Sequence, residues 1–325
     1  MKLFSTITKL WVYLLIVTLS PIFAKNSIVI HGIAQNPEGI AYDKSDHTFL
    51  LSSLNASPII KVKPDGSYRA FTSTKKPPLS TAGLQIDYKH QRLLAAAFED
   101  KALFDGDPHT KGISALDIYD LTTGKHKQRI ILSSLAPDAK AYFANDVAVD
   151  DAGNAYITDW YANLIYKVDL SGKATLFWQN TTGIKGAPNG IDFKDGSIFV
   201  SLINVNDKGI YSDYALVKIP TNNPKAATIV KIKNKSFAGF DGMVVKQNGN
   251  IIGVTNDQKS AGGNMLIELS SKDEWRSATV IHKKEIAPST TVAATENNES
   301  YVIHQDFSND SAKRWEIEKV VFGRQ

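Results

Sequence analysis

Cysteine is absent from the chain. That excludes thiol nucleophiles, disulfide staples and cysteine-ligated metals, so any chemistry must come from oxygen and imidazole groups. Histidine is scarce, with seven residues, and none stands in the recurring motifs described below, which argues against a structural zinc site. Long helical periodicity is nearly missing; beyond the first 24 residues only a stretch around 136–142 has a helical pattern. No later run of apolar residues resembles the roughly 20 needed to span a membrane. Neither sign of charge dominates, since 37 Lys and Arg face 33 Asp and Glu for a net +4. The lysine-rich piece at Lys231, Lys233 and Lys235 has no aromatic stacking platform beside it, so no nucleic-acid partner is expected. With 43% apolar and 22% charged residues, the composition also excludes long disorder.

What is present begins with a leader. Lys2 and Lys9 give a basic start, Trp11 to Leu19 is almost continuously apolar, and Ser20-Pro21-Ile22-Phe23-Ala24 breaks the helix at a small residue. This is the shape of a secretory signal peptide over residues 1–24, with cleavage expected after Ala24. Its removal takes away two lysines and lowers the net charge from +4 to +2. Residues 25–325 are then expected to form one exported domain, secreted or periplasmic, monomeric and free of the membrane.

Six stretches share a turn–strand–turn–strand rhythm. The first starts at Pro37, and the third, from Asn145 to Trp178, repeats it closely. Asp-Ala-Gly-Asn at 151–154 and Leu-Ser-Gly-Lys at 170–173 are turns with glycine where a positive φ is wanted. The second unit, about Thr81 to Leu132, carries an insertion from Lys101 to Gly112. The fourth starts at Pro188 and turns at Lys194-Asp195-Gly196; the fifth starts at Phe240; the sixth, weaker, starts near Thr291. Six four-stranded antiparallel units predict an all-β fold, a six-bladed β-propeller around a central channel, which leaves no free sheet edge. Ser27 to Ile30 is expected to pair with Glu316 to Val321 and latch the ring. A two-sheet sandwich or an open solenoid does not explain why one polar position recurs at the same point of four units.

That position is read from Pro37-Glu38-Gly39-Ile40, Ala144-Asn145-Asp146-Val147, Pro188-Asn189-Gly190-Ile191 and Phe240-Asp241-Gly242-Met243. Any one of these alone is an ordinary turn sequence. Four at equivalent places bring Glu38, Asn145, Asn189 and Asp241 together at the axis, where first strands begin. Two carboxylates and two amide oxygens suit a hard divalent cation: Ca²⁺ above all, with Mg²⁺ or Mn²⁺ if waters complete the shell. Asp159, Asn204 and Asn256 each follow a strand that partners a first strand, which points to the wall of a substrate pocket; Asp159 serves equally well as the cap of the turn carrying Trp160. His109, in the insertion, reads as a solvated loop residue and His304 as a buried strand residue. No Ser-His-Asp arrangement is apparent, and Ser53 and Ser201 have no assignable partner.

The stretches NPEGIAYD, NDVAVDDAGNAYITDW, APNGIDF and FDGMVV carry a resemblance. Over about residues 30–320 the chain resembles the SMP-30/gluconolactonase/LRE-like family of six-bladed propellers, and more distantly paraoxonase-type lactonases and strictosidine-synthase-like proteins. The resemblance implies that Glu38, Asn189 and Asp241 bind a divalent metal, with Asn145 on it or beside it. It further implies a lactonase or related hydrolase, with sugar lactones as frequent substrates. Relatives use Ca²⁺, Zn²⁺, Mn²⁺ or Mg²⁺, so the ion is left open. The histidine dyad of some lactonase relatives has no clear equivalent here. Under this reading Asp241 orients or deprotonates the attacking water and Glu38 balances charge as a ligand. Two other functions stay open: a non-enzymatic propeller that binds a protein or glycan, and a non-hydrolytic enzyme on the same centre.

Overall fold

The computed structural model describes residues 26–32, 36–73, 79–99, 111–180, 182–183, 185–205, 211–233, 237, 239–257, 263–304 and 314–323, with the backbone alone for 205, 211–213, 256 and 257. The leader expected at 1–24 and positions 101–110 of the insertion, His109 included, lie outside these residues.

Six antiparallel sheets form a six-bladed β-propeller, and each first strand packs against the first strands of its two neighbours, so the ring closes. Blade 1 is Ile40–Asp43, Thr48–Leu51, Ile60–Val62 and Tyr68–Ala70. Blade 2 is Ser80–Asp87, Arg92–Phe98, Ser114–Asp120 and His126–Ile131. Blade 3 is Ala144–Val149, Ala155–Asp159, Leu164–Val168 and Ala174–Gln179. Blade 4 is Ala187–Lys194, Ser197–Val205, Tyr211–Pro220 and Thr228–Ile229. Blade 5 is Met243–Val245, Ile251–Asp257, Gly263–Ser270 and Ser277–Glu285. Blade 6 is Ser289–Ala294, Ser300–His304 and Arg314–Val320, completed by the amino-terminal strand Ser27–His31.

That last pairing is the expected latch: Ile28 lies opposite Ile317 and Ile30 opposite Trp315. Blade 5 holds a surprise, because Lys231–Lys233 adds to it as a fifth strand, parallel to Ser277–Glu285. Lys231 and Lys233 therefore lie on an added edge strand, a place where lysine discourages further pairing. Among the described residues there is no α-helix, only 3-10 turns at Ser133–Leu135 and Pro224–Ala226.

The core is divided among the seams between blades. Ala41, Leu50 and Leu93 pack between blades 1 and 2; Leu116, Val147 and Tyr166 between 2 and 3. Tyr156, Val200 and Val217 fill the next seam, and Phe199, Ile267 and Trp275 the one after. Ile252, Val254 and Val302 join blades 5 and 6, and Ile30, Phe49 and Ile303 join 6 and 1. Each seam thus buries apolar faces that neither blade can cover alone. Buried ion pairs occupy matching positions in two blades with the polarity reversed: Lys61 Nζ is 2.8 Å from Asp43 in blade 1, and Lys246 Nζ is 3.0 Å from Glu268 in blade 5.

At the axis the packing is closer still. In blades 2, 3, 4 and 6 the pairing of the first two strands slips just after its start, between Thr81 and Leu84, Ala144 and Val147, Pro188 and Ile191, and Ser289 and Val292. Such bulges free a backbone from its own sheet and turn it toward a neighbour. A methyl group on Gly39 would lie 2.2 Å from the Ala82 carbonyl oxygen, and one on Gly83 2.6 Å from the Asp146 Cα. Blade 5 meets blade 6 through a bond from Gly242 N–H to the Thr290 carbonyl, 2.7 Å. The ring closes where Thr290 Oγ1 donates to the Glu38 carbonyl at 3.1 Å.

Two stability outcomes follow from this packing. Gly39→Ala is expected to cost about 1–3 kcal/mol through overpacking, while Gly323→Ala, with nothing within 4 Å, is neutral; urea unfolding compares them. Lys246→Met leaves Glu268 buried without its ammonium and costs about 3 kcal/mol or more, whereas Lys246→Met with Glu268→Met restores most of the loss. Equal losses in the single and double variants would contradict the pairing.

Candidate functional site

Aligning the six first strands by their registers places Glu38, Ala82, Asn145, Asn189, Asp241 and Thr290 at one equivalent position. The next position is Gly39, Gly83, Asp146, Gly190, Gly242 and Thr291. Glu38, Asn145 and Asp241 border one space at the hub, together with Asp146, Thr290 and Thr291. That space measures about 10 Å³, close to what one water molecule or a single ion occupies. Asn189 is 4% exposed, and its Oδ1 has no hydrogen-bond partner among the described residues. It precedes Gly190, where a methyl group would stand 2.4 Å from the Asp241 carbonyl oxygen.

An amide oxygen buried without a donor is costly unless something positive meets it. That observation, with oxygen donors lining the hub among the described residues, fits a hard cation. Among the described residues no three Asp, Glu or His side chains gather closely enough to bind a metal by themselves. An ion at the hub would therefore depend on the amide oxygens of Asn145 and Asn189 as much as on the carboxylates.

Asp146 is the site residue that motif reading passed over. It stands where four other blades have glycine, and that break in the alignment is the signal that marks it. Its Oδ1 accepts from Val147 N–H at 2.8 Å, and its Oδ2 reaches across the seam to Ile191 N–H at 3.1 Å. It borders both the ion-sized space and a channel of about 180 Å³ beyond it, whose wall includes Tyr42, Tyr88 and Met243. Although the channel keeps the side chain from being sealed off, dense protein strips most of its hydration and pushes the carboxyl up to about 8. The two backbone bonds oppose that rise, and the charges of Asp192 and Asp241 add to it.

The residues expected on the pocket wall separate. Asp159 is fully buried and acts as the turn cap: Oδ1 accepts from Phe143 N–H at 2.9 Å and Ala162 N–H at 3.0 Å, and Oδ2 from Ser114 Oγ at 2.6 Å. Asn204 follows Ile203, which pairs with Ala187 at the start of the first strand of blade 4, and so lies toward the face where first strands begin. Asn256 has its backbone described, opposite Asn264 and two residues beyond Val254, whose carbonyl receives Asp241 N–H at 2.8 Å.

Ser201 Oγ accepts from Phe240 N–H at 3.0 Å, and Ser53 donates to the Asn55 side chain. A hydrogen-bonded series the sequence does not reveal joins Ser289, His304 and Glu318, with Oγ to Nδ1 at 3.1 Å and Nε2 to Oε2 at 2.9 Å. Ser289 is 1% exposed and donates to the Ala287 carbonyl at 3.0 Å. The series therefore ties three strands of blade 6 together and does not offer a nucleophile to solvent.

A family model for the SMP-30/gluconolactonase/LRE-like region matches residues 36–263. No curated protein matches the sequence. Among solved structures, the major allergen Mala s 1 of Malassezia sympodialis is similar with a TM-score of 0.72 and 19% identity, over 90% of this chain and 95% of that one. A gluconolactonase of Xanthomonas campestris gives 0.61 and 13%, over 90% and 89%. The calcium-binding protein regucalcin of Agrobacterium tumefaciens gives 0.59 and 17%, over 90% and 95%. At these identities the likeness is one of fold.

A second buried carboxylate near the hub makes stability depend on pH. Asp192 is 8% exposed and accepts from Val245 N–H at 2.6 Å and Phe193 N–H at 2.7 Å, yet loss of hydration outweighs both and pushes it up to about 6. Between about pH 4 and 6 the native state keeps a proton that the unfolded chain has released. The stabilisation is complete below pH 4 and is lost as pH rises toward 6, by up to about 1.4 kcal/mol per unit. Asp192→Asn is expected to reduce the slope of urea-derived stability across that window, leaving the part that the raised Asp146 contributes; an unchanged slope would refute the assignment.

Proposed function

The chain belongs to the SMP-30/gluconolactonase/LRE-like family, and from that premise we propose that it is a divalent-metal-dependent hydrolase opening a lactone or related ester at the hub. The observation that carries this reading is the convergence of Glu38, Asn145 and Asp241 on one ion-sized space, with the unsatisfied amide oxygen of Asn189 at the equivalent place in blade 4. Glu38, Asn145, Asn189 and Asp241 would hold the cation, Ca²⁺ first by its liking for mixed carboxylate and amide oxygens, with Mg²⁺, Mn²⁺ or Zn²⁺ as substitutes. When bound, such an ion polarises a substrate carbonyl.

The protein's own groups do the rest. Asp241 accepts a hydrogen bond from the attacking water and takes its proton as the water oxygen adds to the carbonyl carbon. The ring carbon–oxygen bond then breaks, and the same proton returns to the departing alkoxide. Glu38 supplies the second negative charge that balances the cation. Asn204 and Asn256 flank the substrate on the face where first strands begin. Asp159, expended on its turn, holds the loop that carries Trp160 and Tyr161. We further propose that the protein is exported and acts as a monomer on a small molecule.

Protein stripped with a chelator is expected to be inactive toward sugar lactones, aliphatic lactones and aryl esters, and to open one of these classes on addition of Ca²⁺, Mn²⁺, Mg²⁺ or Zn²⁺, followed by acid release. Asp241→Asn should lower turnover by about 100-fold or more with an unchanged melting temperature. Calorimetric ion binding with a silent screen would instead support a propeller that uses its ion for structure while its face binds a protein or glycan. No ion binding at all would remove the proposal.

A further inference from the structure

Away from the hub, the seam between blades 1 and 2 opens into a cavity of about 750 Å³, within the usual range of small-molecule sites. Its wall is unusual in charge: Arg69 from blade 1, and Lys125, Lys127 and Arg129 from blade 2, with His126 among them. Phe71 and Tyr119, both buried, form its apolar part. Ser57 and Ser73 add hydroxyls at the side of blade 1.

The cations divide into two groups. Asp117, 1% exposed, receives Arg129 Nε and Nη2 at 2.7 Å each and stands 3.3 Å from His126 Nε2. This bidentate fork fixes the guanidinium in one orientation and leaves its other donors unused by Asp117. Lys127 pairs with Asp120 at 2.9 Å. Among the described residues neither Arg69 nor Lys125 has a carboxylate partner. Four permanent cations against two carboxylates leave an excess of two positive charges around one cavity.

We propose that this seam binds the phosphate or sulfate monoester of a small polyhydroxylated molecule, with Arg69 and Lys125 as its free anchors and Arg129 as a pre-oriented one. A tetrahedral oxyanion offers three acceptors to guanidinium and ammonium donors arriving from both blades, which a single carboxylate does not. The buried rings of Phe71 and Tyr119 suit the C–H face of a sugar, and the serine hydroxyls its hydroxyl groups. None of the residues assigned to the ion lines this cavity, so the site is independent of the hub reaction.

Isothermal titration of the full chain in a chelator, so that the hub plays no part, tests the proposal with glucose 6-phosphate, glucose 6-sulfate and glucose. One or both esters should bind saturably with one site per chain, weaken as salt rises, and leave glucose without measurable heat; the better ester names the head group. Arg69→Ala with Lys125→Ala should weaken binding at least tenfold at an unchanged melting temperature, since neither side chain holds an ion pair. Failure of both esters to bind, equal binding of glucose, or full affinity in the double variant would overturn it.

Discussion

Between Gly39 and the Ala82 carbonyl there is no room for a methyl group, nor between Gly83 and the Asp146 backbone, Gly190 and Asp241, or Gly242 and Thr291. The remaining seams are closed by polar bonds, Asp146 to Ile191 N–H and Thr290 to the Glu38 carbonyl. Six chain segments therefore meet at the axis at backbone distance. The seam cores, the latch of Ser27–His31 on Arg314–Val320 and the narrowness of the channel all presuppose that approach. A ring of sheets with bulkier residues at these points would have to widen, and its seams would part.

The same constraint concentrates chemistry. Once one position at the start of each first strand is held to glycine or a short residue, the position before it becomes the one that borders the hub. In five blades that position carries an oxygen-bearing side chain, and in four of them it borders a single space of ionic size. Asp146 breaks the glycine rule and uses the exception to bridge blades 3 and 4 while placing a carboxylate between the ion-sized space and the channel. Structural closure and the cation site we propose are two consequences of one packing problem. The basic seam between blades 1 and 2 lies outside that logic, since it is built from outer strands and connecting turns that the hub leaves free to vary.

Much of this was legible in the residues. Turn chemistry marked the hairpins: in the turn expected at Lys194-Asp195-Gly196, Asp195 and Gly196 take positive φ. Spacing marked the six units, and the alternating ends of the chain marked the latch. The fifth strand of blade 5 was not legible, because Lys231–Lys233 has no apolar alternation and pairs parallel to a strand more than 40 residues away. Asp159 illustrates a different limit. Its place at the end of a second strand is shared by pocket residues and turn caps, and only Ser114, Phe143 and Ala162 closing around it decide for the cap.

By itself the sequence determined the class of fold, the number of blades, the family, and the recurring oxygen donors, because each is written as a local pattern of turns and alternation that repeats down the chain. Only the tertiary structure decided which donors border one space, that Asn189 Oδ1 is left without a donor, that Asp146 belongs with them, and that Arg69 and Lys125 face the same cavity. Those facts depend on distances between residues some 40 to 200 positions apart, which ring closure sets and which no local pattern encodes.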